Sequence, residues 1–356
     1  MNEDADLRHM RQALRLASRG GRRVSPNPEV GCVLVKGGRV VGRGWHSRFG
    51  GPHAEPTALR QAGRAARGAT AYVNLEPCCA HPGKKTPPCT EALIRAGVRR
   101  VVAAMRDPNP LVSGRGLRRL RRAGIAVRCG VLEAEARRLN RPFETLVRLK
   151  RPHVILKAGI SLDGRIETSK KQSKWVTSPE ARKLSRRMRA ESDAVLVGIG
   201  TVLADDPGLL ADKGPHPLRA ILDSRLRTPR RSKVVTGPGR ALIFTSSRKS
   251  LPGAETVRVP RVKNGLDLRR VLRELARRGV ASVFVEGGSA VHSSFLDNGL
   301  VDELKLFIAP RLLGGTRARS FYEGRGVRDL ADSRLLEEVS VGRAGPDLLV
   351  SGAVRR

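Results

Sequence analysis

Three short segments in the first hundred residues carry side chains that could bind a metal ion. They are His53-Ala54-Glu55, Pro77-Cys78 and Thr86-Pro87-Pro88-Cys89. One imidazole and two thiolates can hold Zn²⁺ in a tetrahedral site that keeps one position open for water. Glu55 is not needed as a ligand, so its carboxylate is free to move protons. The residue types therefore predict a catalytic zinc site in which Glu55 is the general acid and base.

The order of these segments, H-x-E followed by P-C and a later cysteine, is typical of zinc nucleobase deaminases. In that chemistry a zinc-activated water attacks an amidine-like ring carbon and ammonia leaves. We predict that His53 and Glu55 open one helix and that Pro77 and Cys78 open another, because proline suits a first helical turn. A helix N-terminus lowers the pKa of a thiol, which favours the metal-bound form.

The spacing leaves the third ligand open. In the compact form of this motif the second cysteine stands three positions after the first, and that position here is His81. A ligand set of His53, Cys78 and His81 is chemically possible. The Thr-Pro-Pro-Cys turn is a stiff support for a thiolate, however, and favours Cys89.

Length and composition limit the class of protein. The chain has 356 residues, enough for two cores, and no apolar run approaches the ~20 residues of a membrane span. Its first six residues are acidic and polar, unlike a secretory signal, so we expect a cytoplasmic protein. All five cysteines precede residue 130, which suits a metal site in a reducing compartment. We interpret Cys32, Cys79 and Cys129 as packed thiols.

The net charge is +36, from 69 basic and 33 acidic residues. Such a field attracts phosphorylated substrates, dinucleotides or nucleic acid. The arginines are spread along the whole chain, however, and aromatic residues make up only 3%, too few for stacking platforms on single strands. We therefore interpret the charge as a solvated basic surface and do not expect nucleic acid as a partner.

Apolar periodicity predicts two α/β domains. In the first, residues 7–19 form a helix, residues 30–42 form a hairpin, and helices then alternate with strands. This alternation predicts a three-layer domain over residues 1–147. A second α/β pattern begins at His153 and predicts a domain over residues 153–356. Its further strands are predicted at 194–197, 220–222, 241–245, 282–285 and 304–308.

The chemistry of the second domain is harder to predict from its residues. It lacks the G-x-G-x-x-G fingerprint of a Rossmann fold. The segment Val285 to Ala290, V-E-G-G-S-A, follows a predicted strand and precedes a predicted helix, so it is either a phosphate-binding turn or an ordinary Gly-rich one. Trp175 is either a half-buried packing residue or a wall for a flat ring. Lys157 and Asp205 are candidate acid or base groups.

Several longer motifs occur in order across both halves. They are Ser25-Pro26-Asn27-Pro28-Glu29-Val30-Gly31-Cys32-Val33, the metal motif, Ser161-Leu162-Asp163-Gly164-Arg165, Ser173-Lys174-Trp175-Val176-Thr177-Ser178, Gly200-Thr201-Val202-Leu203-Ala204-Asp205-Asp206-Pro207 and Val285-Glu286-Gly287-Gly288. With this ordered set the chain resembles the RibD family, the bifunctional deaminase–reductases of riboflavin biosynthesis. The resemblance covers essentially the whole chain.

The resemblance implies a cytidine-deaminase-like zinc domain followed by a dihydrofolate-reductase-like α/β domain. The first would remove the 2-amino group of a diaminopyrimidinone ribosylamine 5′-phosphate. The second would use NADPH to reduce the open-chain ribosyl group of 5-amino-6-(5-phosphoribosylamino)uracil to ribityl. The implied cofactors are Zn²⁺ and NADPH, the partner is the phosphorylated pyrimidine, and we expect a homo-oligomer.

The resemblance also implies site residues, position by position. In the first domain the substrate contacts would be Asn27, His46, His81 and Lys85, with Lys85 at the phosphate. In the second domain the cofactor contacts would be Gly159, Trp175, Thr201, Asp205, Ser224 and the stretch Gly288, Ser289, Ala290, Val291, His292, Ser293 and Ser294, whose backbone N–H groups would cradle the pyrophosphate with His292 assisting. Its substrate contacts would be Lys157, Ser173, Arg189, Leu209 and Glu286.

The chain departs from the family pattern at two places. The loop between its two cysteine ligands is two residues longer than is usual, which leaves open whether His81 or a lysine of that loop reaches the phosphate. Asp212 stands where the family often carries a phosphate-binding arginine. We expect either that Lys213 or Arg219 replaces that arginine or that substrate affinity in this domain is altered.

Three other functions share some of these features. A polynucleotide deaminase has a related zinc motif, but the long second domain and the few aromatic residues argue against it. A structural zinc site would need Cys79 or His81 as a fourth ligand and would leave Glu55 idle. A non-catalytic nucleic-acid binder would use only the positive charge.

Overall fold

The computed structural model describes residues 3–82, 86–170, 172, 174–263 and 265–355. The chain divides into two compact units, Met1–Arg151 and Pro152–Arg356. Among the described residues, no helix combines the length and the apolar character that a membrane span needs.

The first unit is built on a five-stranded sheet. Its strands are β1 (Gly31–Lys36), β2 (Arg39–Trp45), β3 (Thr70–Leu75), β4 (Arg100–Met105) and β5 (Ala126–Cys129). Its helices are α1 (Glu3–Ala17), α2 (Ala54–Ala62), α3 (Cys89–Arg95), α4 (Arg115–Arg122), α5 (Glu133–Leu139) and α6 (Arg141–Leu149). The strand order is β2-β1-β3-β4-β5, in which β1 is antiparallel to both neighbours and β3, β4 and β5 are parallel.

Side chains alternate between the two faces of this sheet, because successive residues of a strand point to opposite sides. On β1, Cys32 and Leu34 pack with α2, α3 and α4, whereas Val33 and Val35 pack with α1. The sheet therefore lies between two helical layers, which confirms the three-layer α/β fold. Helix α2 lies directly on β2, since a Cβ at Gly44 would come 2.2 Å from the Ala54 carbonyl oxygen.

The second unit is built on a nine-stranded sheet. The nine strands of this sheet are β6 (His153–Ser161), β7 (Ala194–Gly198), β8 (Leu218–Leu222), β9 (Ala241–Thr245), β10 (Glu255–Arg258), β13 (Ser282–Val285), β14 (Glu303–Ala309), β15 (Leu336–Ala344) and β16 (Asp347–Val354), and the unit has two further strands, β11 (Arg261–Val262) and β12 (Gly265–Leu266). Its helices are α7 (Pro179–Glu191), α8 (Ile199–Asp205), α9 (Lys233–Thr236), α10 (Leu268–Arg277) and α11 (Ser289–Asp297). The short strands β11 and β12 pair separately.

The strand order β10-β9-β8-β7-β13-β6-β14-β16-β15 contains a reversal. From β6 the chain moves in one direction out to β10 and then returns to insert β13 between β7 and β6. In this order the neighbouring strands from β10 through β14 are parallel. Only β16 runs in the opposite direction, antiparallel to β14 on one side and to β15 on the other. Ligands of open parallel sheets bind at the carboxyl ends of strands where the order reverses. In this unit those are the ends of β6, β7 and β13.

Candidate functional site

The three predicted metal ligands of the first unit converge. The Nδ1 atom of His53 lies 3.6 Å from the Sγ of Cys78 and 3.3 Å from the Sγ of Cys89. All three ligand atoms lie within 4.8 Å of one another, and within the described ranges this is the one group of His, Cys, Asp and Glu that does so. His81 does not belong to it. An imidazole and two thiols at this separation fit one Zn²⁺ with an open fourth position.

Helix starts position two of these ligands. His53 has extended backbone angles at the N-cap of α2, and Cys89 is the first residue of α3. The backbone N–H of Cys89 donates to the Sγ of Cys78 at 3.4 Å. The prediction that Cys78 itself opens a helix is wrong, because it lies in the loop after β3. Pro82, Pro87 and the following Pro88 disfavour helical angles in the residues before them, so the helix starts only at Cys89.

Glu55 occupies the first turn of α2 and is almost completely buried. It lies beside His53, Cys78 and Cys89, which we call the metal group. Its Oε2 atom is buried without a hydrogen-bond partner among the described residues. Burial, and then the neighbouring Cys78 thiolate, raise the pKa of Glu55. The hydrogen bond between the two thiols lowers the pKa of Cys78 and raises that of Cys89. The group therefore contains one unsatisfied acceptor and one thiolate, both of which suit a cation and its bound water.

A second buried carboxylate supports the loop that carries Cys78. Glu76 accepts backbone N–H groups from Asp107 (3.2 Å), Gly114 (2.8 Å), Gly116 (2.9 Å) and Leu117 (3.2 Å). A Cβ at Gly116 would lie 2.2 Å from the Pro77 carbonyl oxygen, so only glycine permits this approach. Glu76 thereby holds the start of α4 against the Pro77-Cys78 segment. This role of Glu76 was not predicted from the sequence.

The metal group opens into a cavity of about 340 Å³. The predicted substrate contacts Asn27, His46 and His81 line it. The Nδ1–H of His46 donates to the Pro52 carbonyl oxygen (2.9 Å), and its Nε2 accepts from the Asn27 amide (3.2 Å). Burial lowers the pKa of His46, so the ring is neutral and its two bonds fix this tautomer.

Other predicted and unpredicted residues complete the cavity. The Nδ1–H of His81 donates to the Pro82 carbonyl oxygen at 2.8 Å, and Lys85 lies outside the described residues. Asp107 and Asn109 line the cavity but were not predicted from sequence, and the Asn109 N–H donates to Asp107 at 2.8 Å. Burial raises the pKa of Asp107 to about 6. The D-P-N-P turn directly after a buried strand was the available signal.

In the second unit, charged side chains meet at the carboxyl end of β13. Arg189 donates to both oxygens of Glu286, from Nε to Oε1 and from Nη2 to Oε2 (2.9 Å). The Nζ of Lys157, on β6, lies 3.9 Å from the same Oε2. Burial alone would raise the pKa of Glu286, but Arg189 and Lys157 bring it below its ordinary value. Burial lowers the pKa of Lys157, and Glu286 opposes that shift.

The predicted phosphate cradle is shorter than expected. Gly288 precedes α11 with an ordinary φ of −78°, and a Cβ there would meet no atom within 4 Å. The space beside it is therefore open to a ligand, which fits a phosphate at a helix N-terminus. The backbone N–H groups of Val291 and His292, however, donate to the Gly288 carbonyl (3.0 and 3.1 Å). Only the first turn, Gly288 to Ala290, is left to present N–H groups.

The side chains of the same stretch are engaged within the fold. Ser289 donates to the Glu323 carboxylate at 3.0 Å, and the Ser293 hydroxyl accepts the Glu323 N–H at 2.9 Å. Ser294 donates to the Ala290 carbonyl at 2.8 Å. His292 is buried and its Nδ1–H donates to the Phe321 carbonyl at 3.1 Å, while burial lowers its pKa to about 4. The buried His292 ring is therefore neutral and has no positive charge with which to assist a phosphate.

The remaining predicted contacts lie after neighbouring strands. Trp175 is 64% exposed, and the Arg182 guanidinium covers one face of its ring at 4.1 Å, so it is not a half-buried packing residue. A Cβ at Gly159, on β6, would lie 2.9 Å from the Thr177 side chain. Thr201 and Asp205 lie on α8 after β7, Ser224 follows β8, and the buried Leu209 has a φ of 54°. Ser173 lies outside the described residues.

The expected replacement by Arg219 is wrong. This side chain is fully buried, and its guanidinium donates to the carbonyl oxygens of Lys233 (3.0 Å), Gly237 (2.9 Å) and Gly239 (2.9 Å). It fixes a loop and is not available to a substrate. Asp212 instead pairs with Arg186, with 2.6 Å between Oδ1 and Nε.

Comparisons with known proteins match the whole chain. The family model described as the cytidine and deoxycytidylate deaminase zinc-binding region matches residues 3–105, and the RibD C-terminal domain matches residues 152–350. The chain is 43% identical over 361 residues to the riboflavin biosynthesis protein RibD of Escherichia coli (strain K12), covering 96% of this chain and 98% of that protein. It is 42% identical over 358 residues to RibD of Aquifex aeolicus (strain VF5), with 98% and 99% covered.

Two solved structures are similar over the same extent. Acinetobacter baumannii RibD, form 1, has a TM-score of 0.90 and 37% identity, covering 100% of both chains. The Thermotoga maritima diaminohydroxyphosphoribosylaminopyrimidine deaminase/5-amino-6-(5-phosphoribosylamino)uracil reductase has a TM-score of 0.88 and 38% identity, covering 99% of both chains. Both half-chain folds and their order are therefore shared with these proteins.

Proposed function

The chain belongs to the RibD family, and from this premise we propose which of its residues carry each of the family's two reactions. It is a bifunctional enzyme of riboflavin biosynthesis that combines a pyrimidine deaminase with a 5-amino-6-(5-phosphoribosylamino)uracil reductase. Its cofactors are Zn²⁺ for the deaminase and NADPH for the reductase. We assign the deaminase to residues 1–147 and the reductase to residues 153–356.

The deaminase proposal rests chiefly on one observation, the partnerless Oε2 of the buried Glu55 beside three convergent ligand atoms. We assign His53, Cys78 and Cys89 as the zinc ligands. Zinc held by these residues would lower the pKa of a water molecule at the open position. Glu55 takes a proton from the attacking water as its oxygen bonds to the ring carbon, and delivers that proton to the amino group as the C–N bond breaks.

The cavity wall orients the ring for this attack. The neutral His46 and the Asn27 amide form a hydrogen-bonded pair whose geometry is fixed by Pro52. A fixed pair of this kind holds a substrate without reorganising at the moment of reaction. We assign both residues, with His81 and Lys85, to substrate binding, and place Lys85 at the phosphate.

In the reductase, the protein positions the reactants and the cofactor carries the hydride chemistry. Glu286 is held by Arg189 and Lys157, so its carboxylate is ionised and can accept hydrogen bonds from the ribose hydroxyls. We assign these three residues, with Leu209 and Ser173, to substrate binding. Gly288, Ser289 and Ala290 would hold the NADPH pyrophosphate at the start of α11, and the exposed Trp175 ring offers a flat surface.

The same proposal covers the remaining cofactor contacts and the setting of the enzyme. The remaining cofactor contacts are Gly159, Thr201, Asp205, Ser224 and, after Ala290, the α11 residues Val291, His292, Ser293 and Ser294. The substrate is a phosphorylated pyrimidine, and the high positive charge favours such an anion. Five free cysteines suit a reducing compartment such as the cytoplasm, and we propose a homo-oligomer there that does not use nucleic acid as a partner.

A coupled assay of Glu55→Gln tests the deaminase assignment. Ammonia release from the diaminopyrimidinone substrate is expected to fall about 100- to 10,000-fold, because the proton transfer is lost. Zinc content and NADPH oxidation with the deaminated substrate should match the wild type. Glu133→Gln, a change in a surface carboxylate of α5, is the matched control. Retained ammonia release in Glu55→Gln would contradict the assignment.

A further inference from the structure

A row of charged side chains leads outward from the buried Glu286 along α7. Arg189, which binds Glu286, has a side chain that is 15% exposed, and that of Glu286 is 11% exposed. Arg186 stands three residues earlier, so it lies on the same face of the helix. It pairs with Asp212, and these two side chains are 39% and 38% exposed. Exposure therefore rises from Glu286 to Arg186, which is the cation at the outer end of the row.

Asp212 connects the outer pair to the inner one. The Leu210 carbonyl, two residues before Asp212, accepts a hydrogen bond from Nη1 of Arg189 at 3.1 Å. Burial alone would lower the pKa of Arg189, but the carboxylates of Glu286 and, more weakly, Asp212 bring it above its ordinary value. Arg186, Asp212, Arg189 and Glu286 thus belong to one charged group that begins at the proposed ribose position.

Three other cations in this part of the second unit are already engaged. Lys157 and Arg189 both bind the buried Glu286. Arg182 covers the Trp175 ring and donates to the Thr177 carbonyl oxygen. Arg186 differs from them, because its acid partner is a half-exposed carboxylate, and ion pairs of that exposure are weak.

We propose that Arg186 binds the phosphate of the reductase substrate and that Asp212 holds its guanidinium when no phosphate is there. This inference rests on the proposed reductase function and deepens it. In this proposal a substrate whose ribose hydroxyls lie at Glu286 places its phosphate toward the outer, more exposed end of the same row. A phosphate dianion carries more charge than Asp212 and binds a guanidinium through two parallel N–H donors, so it displaces the carboxylate.

Reductase kinetics with two substrates test the proposal. The substrates are 5-amino-6-(5-phosphoribosylamino)uracil and its dephosphorylated counterpart, and the variants are Arg186→Gln, Asp212→Asn and Arg187→Gln. In Arg186→Gln we expect KM for the phosphorylated substrate to rise about 10- to 100-fold, with little change for the dephosphorylated one. In Asp212→Asn we expect KM for the phosphorylated substrate to fall, because the competing carboxylate is gone.

Arg187→Gln is the matched control, since Arg187 is an exposed arginine one position along the same helix. Ammonia release, carried out by the other unit, should be unchanged in every variant. Equal KM changes for both substrates in Arg186→Gln, or a rise in KM in Asp212→Asn, would show that the pair is only structural and would overturn the proposal.

A titration without turnover separates this inference from the reductase assignment. The probes are the reduced, phosphorylated product and its dephosphorylated form, bound to wild type and Arg186→Gln and followed by calorimetry. If wild type binds the phosphorylated form more tightly and Arg186→Gln loses that preference, the inference holds even where no NADPH is consumed. Equal preference in both proteins overturns it. Absence of NADPH oxidation by wild type with either substrate counts against the reductase assignment alone.

Discussion

The two sites differ in how their buried charges are balanced before a ligand arrives. In the first unit, Glu55 keeps an acceptor without a partner in the described part of the chain, and the Cys78 thiolate is stabilised by hydrogen bonds from its neighbours. In the second unit, Arg189 and Lys157 bind both oxygens of Glu286. The first site is incomplete without a cation, whereas the second already satisfies its own charges.

This difference follows from where the chemistry resides. A metal ion must be bound by a small number of defined donor atoms, so the protein has to bring an imidazole and thiols together. A nicotinamide cofactor carries its own reactivity and needs mainly shape and a place for its phosphates. In the proposed assignment the unsatisfied groups of the first unit take part in its reaction, and the satisfied groups of the second position a substrate.

Removing a metal ligand should produce the largest effect. In Cys89→Ala the zinc content of the purified protein is expected to fall, and ammonia release with it by more than about 100-fold, since even outer partners of metal ligands contribute 10- to 100-fold. NADPH oxidation with the deaminated substrate should persist. Cys79→Ala is the control, because Cys79 is a buried thiol beside Cys78 that lies outside the ligand group. Equal zinc loss in both variants would point instead to a ligand set that includes Cys79.

The difference between the two sites also explains which of their residues could be predicted from the sequence. The ligands of the first site are residue types with few other reasons to occur together, so His53, Cys78 and Cys89 could be predicted to converge. The support given by Glu76 could not, because its partners lie 31 to 41 residues further along and are backbone N–H groups without a sequence signature. The incorrect helix after Pro77 came from a local preference that the later prolines override.

In the second unit six of the nine strands of the described sheet were predicted, whereas β10, β15, β16 and the side-chain partners were not. Buried apolar runs identify strands such as β7 and β13, whereas the exposed edge strand β15 has no such run. The local sequence does not distinguish Arg219 from an arginine on the surface. Only the fold shows that it is buried among carbonyl groups. The pairing of Arg186 with Asp212 depends on how α7 packs beside the 208–212 segment, which periodicity does not encode.

Removing the central carboxylate of the second site should have the next largest effect. Glu286→Ala leaves Arg189 and Lys157 buried without their anion, and breaking a buried ion pair in this way costs about 3–5 kcal/mol of unfolding free energy. We expect hydrogen exchange of β13 to accelerate and NADPH oxidation to be lost, while β4 and ammonia release are unaffected. Glu274→Ala, in an ion pair on α10, is the control. Unchanged exchange in β13 would mean that the charge group does not stabilise this unit.

The smallest effect, and the most direct test of the contrast, is a pH dependence of opposite sign in the two units. Burial raises the pKa of Asp107 from 3.8 to about 6, with Glu76 and Cys78 adding to the shift and the Asn109 N–H and His81 opposing it. The folded state therefore favours the protonated, neutral form of Asp107. The stability that this form contributes to the first unit is present below pH 4 and is lost as the pH rises through 6. Asp107→Asn keeps the neutral form at every pH and should be more stable than wild type at pH 7 by about 2–3 kcal/mol, with no difference at pH 4.

His292 behaves in the opposite way in the second unit. Burial lowers its pKa from 6.5 to about 4, with the Phe321 carbonyl and Glu286 opposing the shift and Lys157 adding to it. The stability that the neutral His292 contributes is present above pH 6.5 and is lost as the pH falls through 4. His292→Asn should therefore gain about 3 kcal/mol relative to wild type, and only at acidic pH. Hydrogen exchange of β4 and β13 measures both effects. Variant and wild type are compared at the same pH, because low pH releases zinc from the first unit of both proteins alike. A stability gain that is largest at the same pH in both variants would mean that burial of single titratable groups does not set the pH response of the two units.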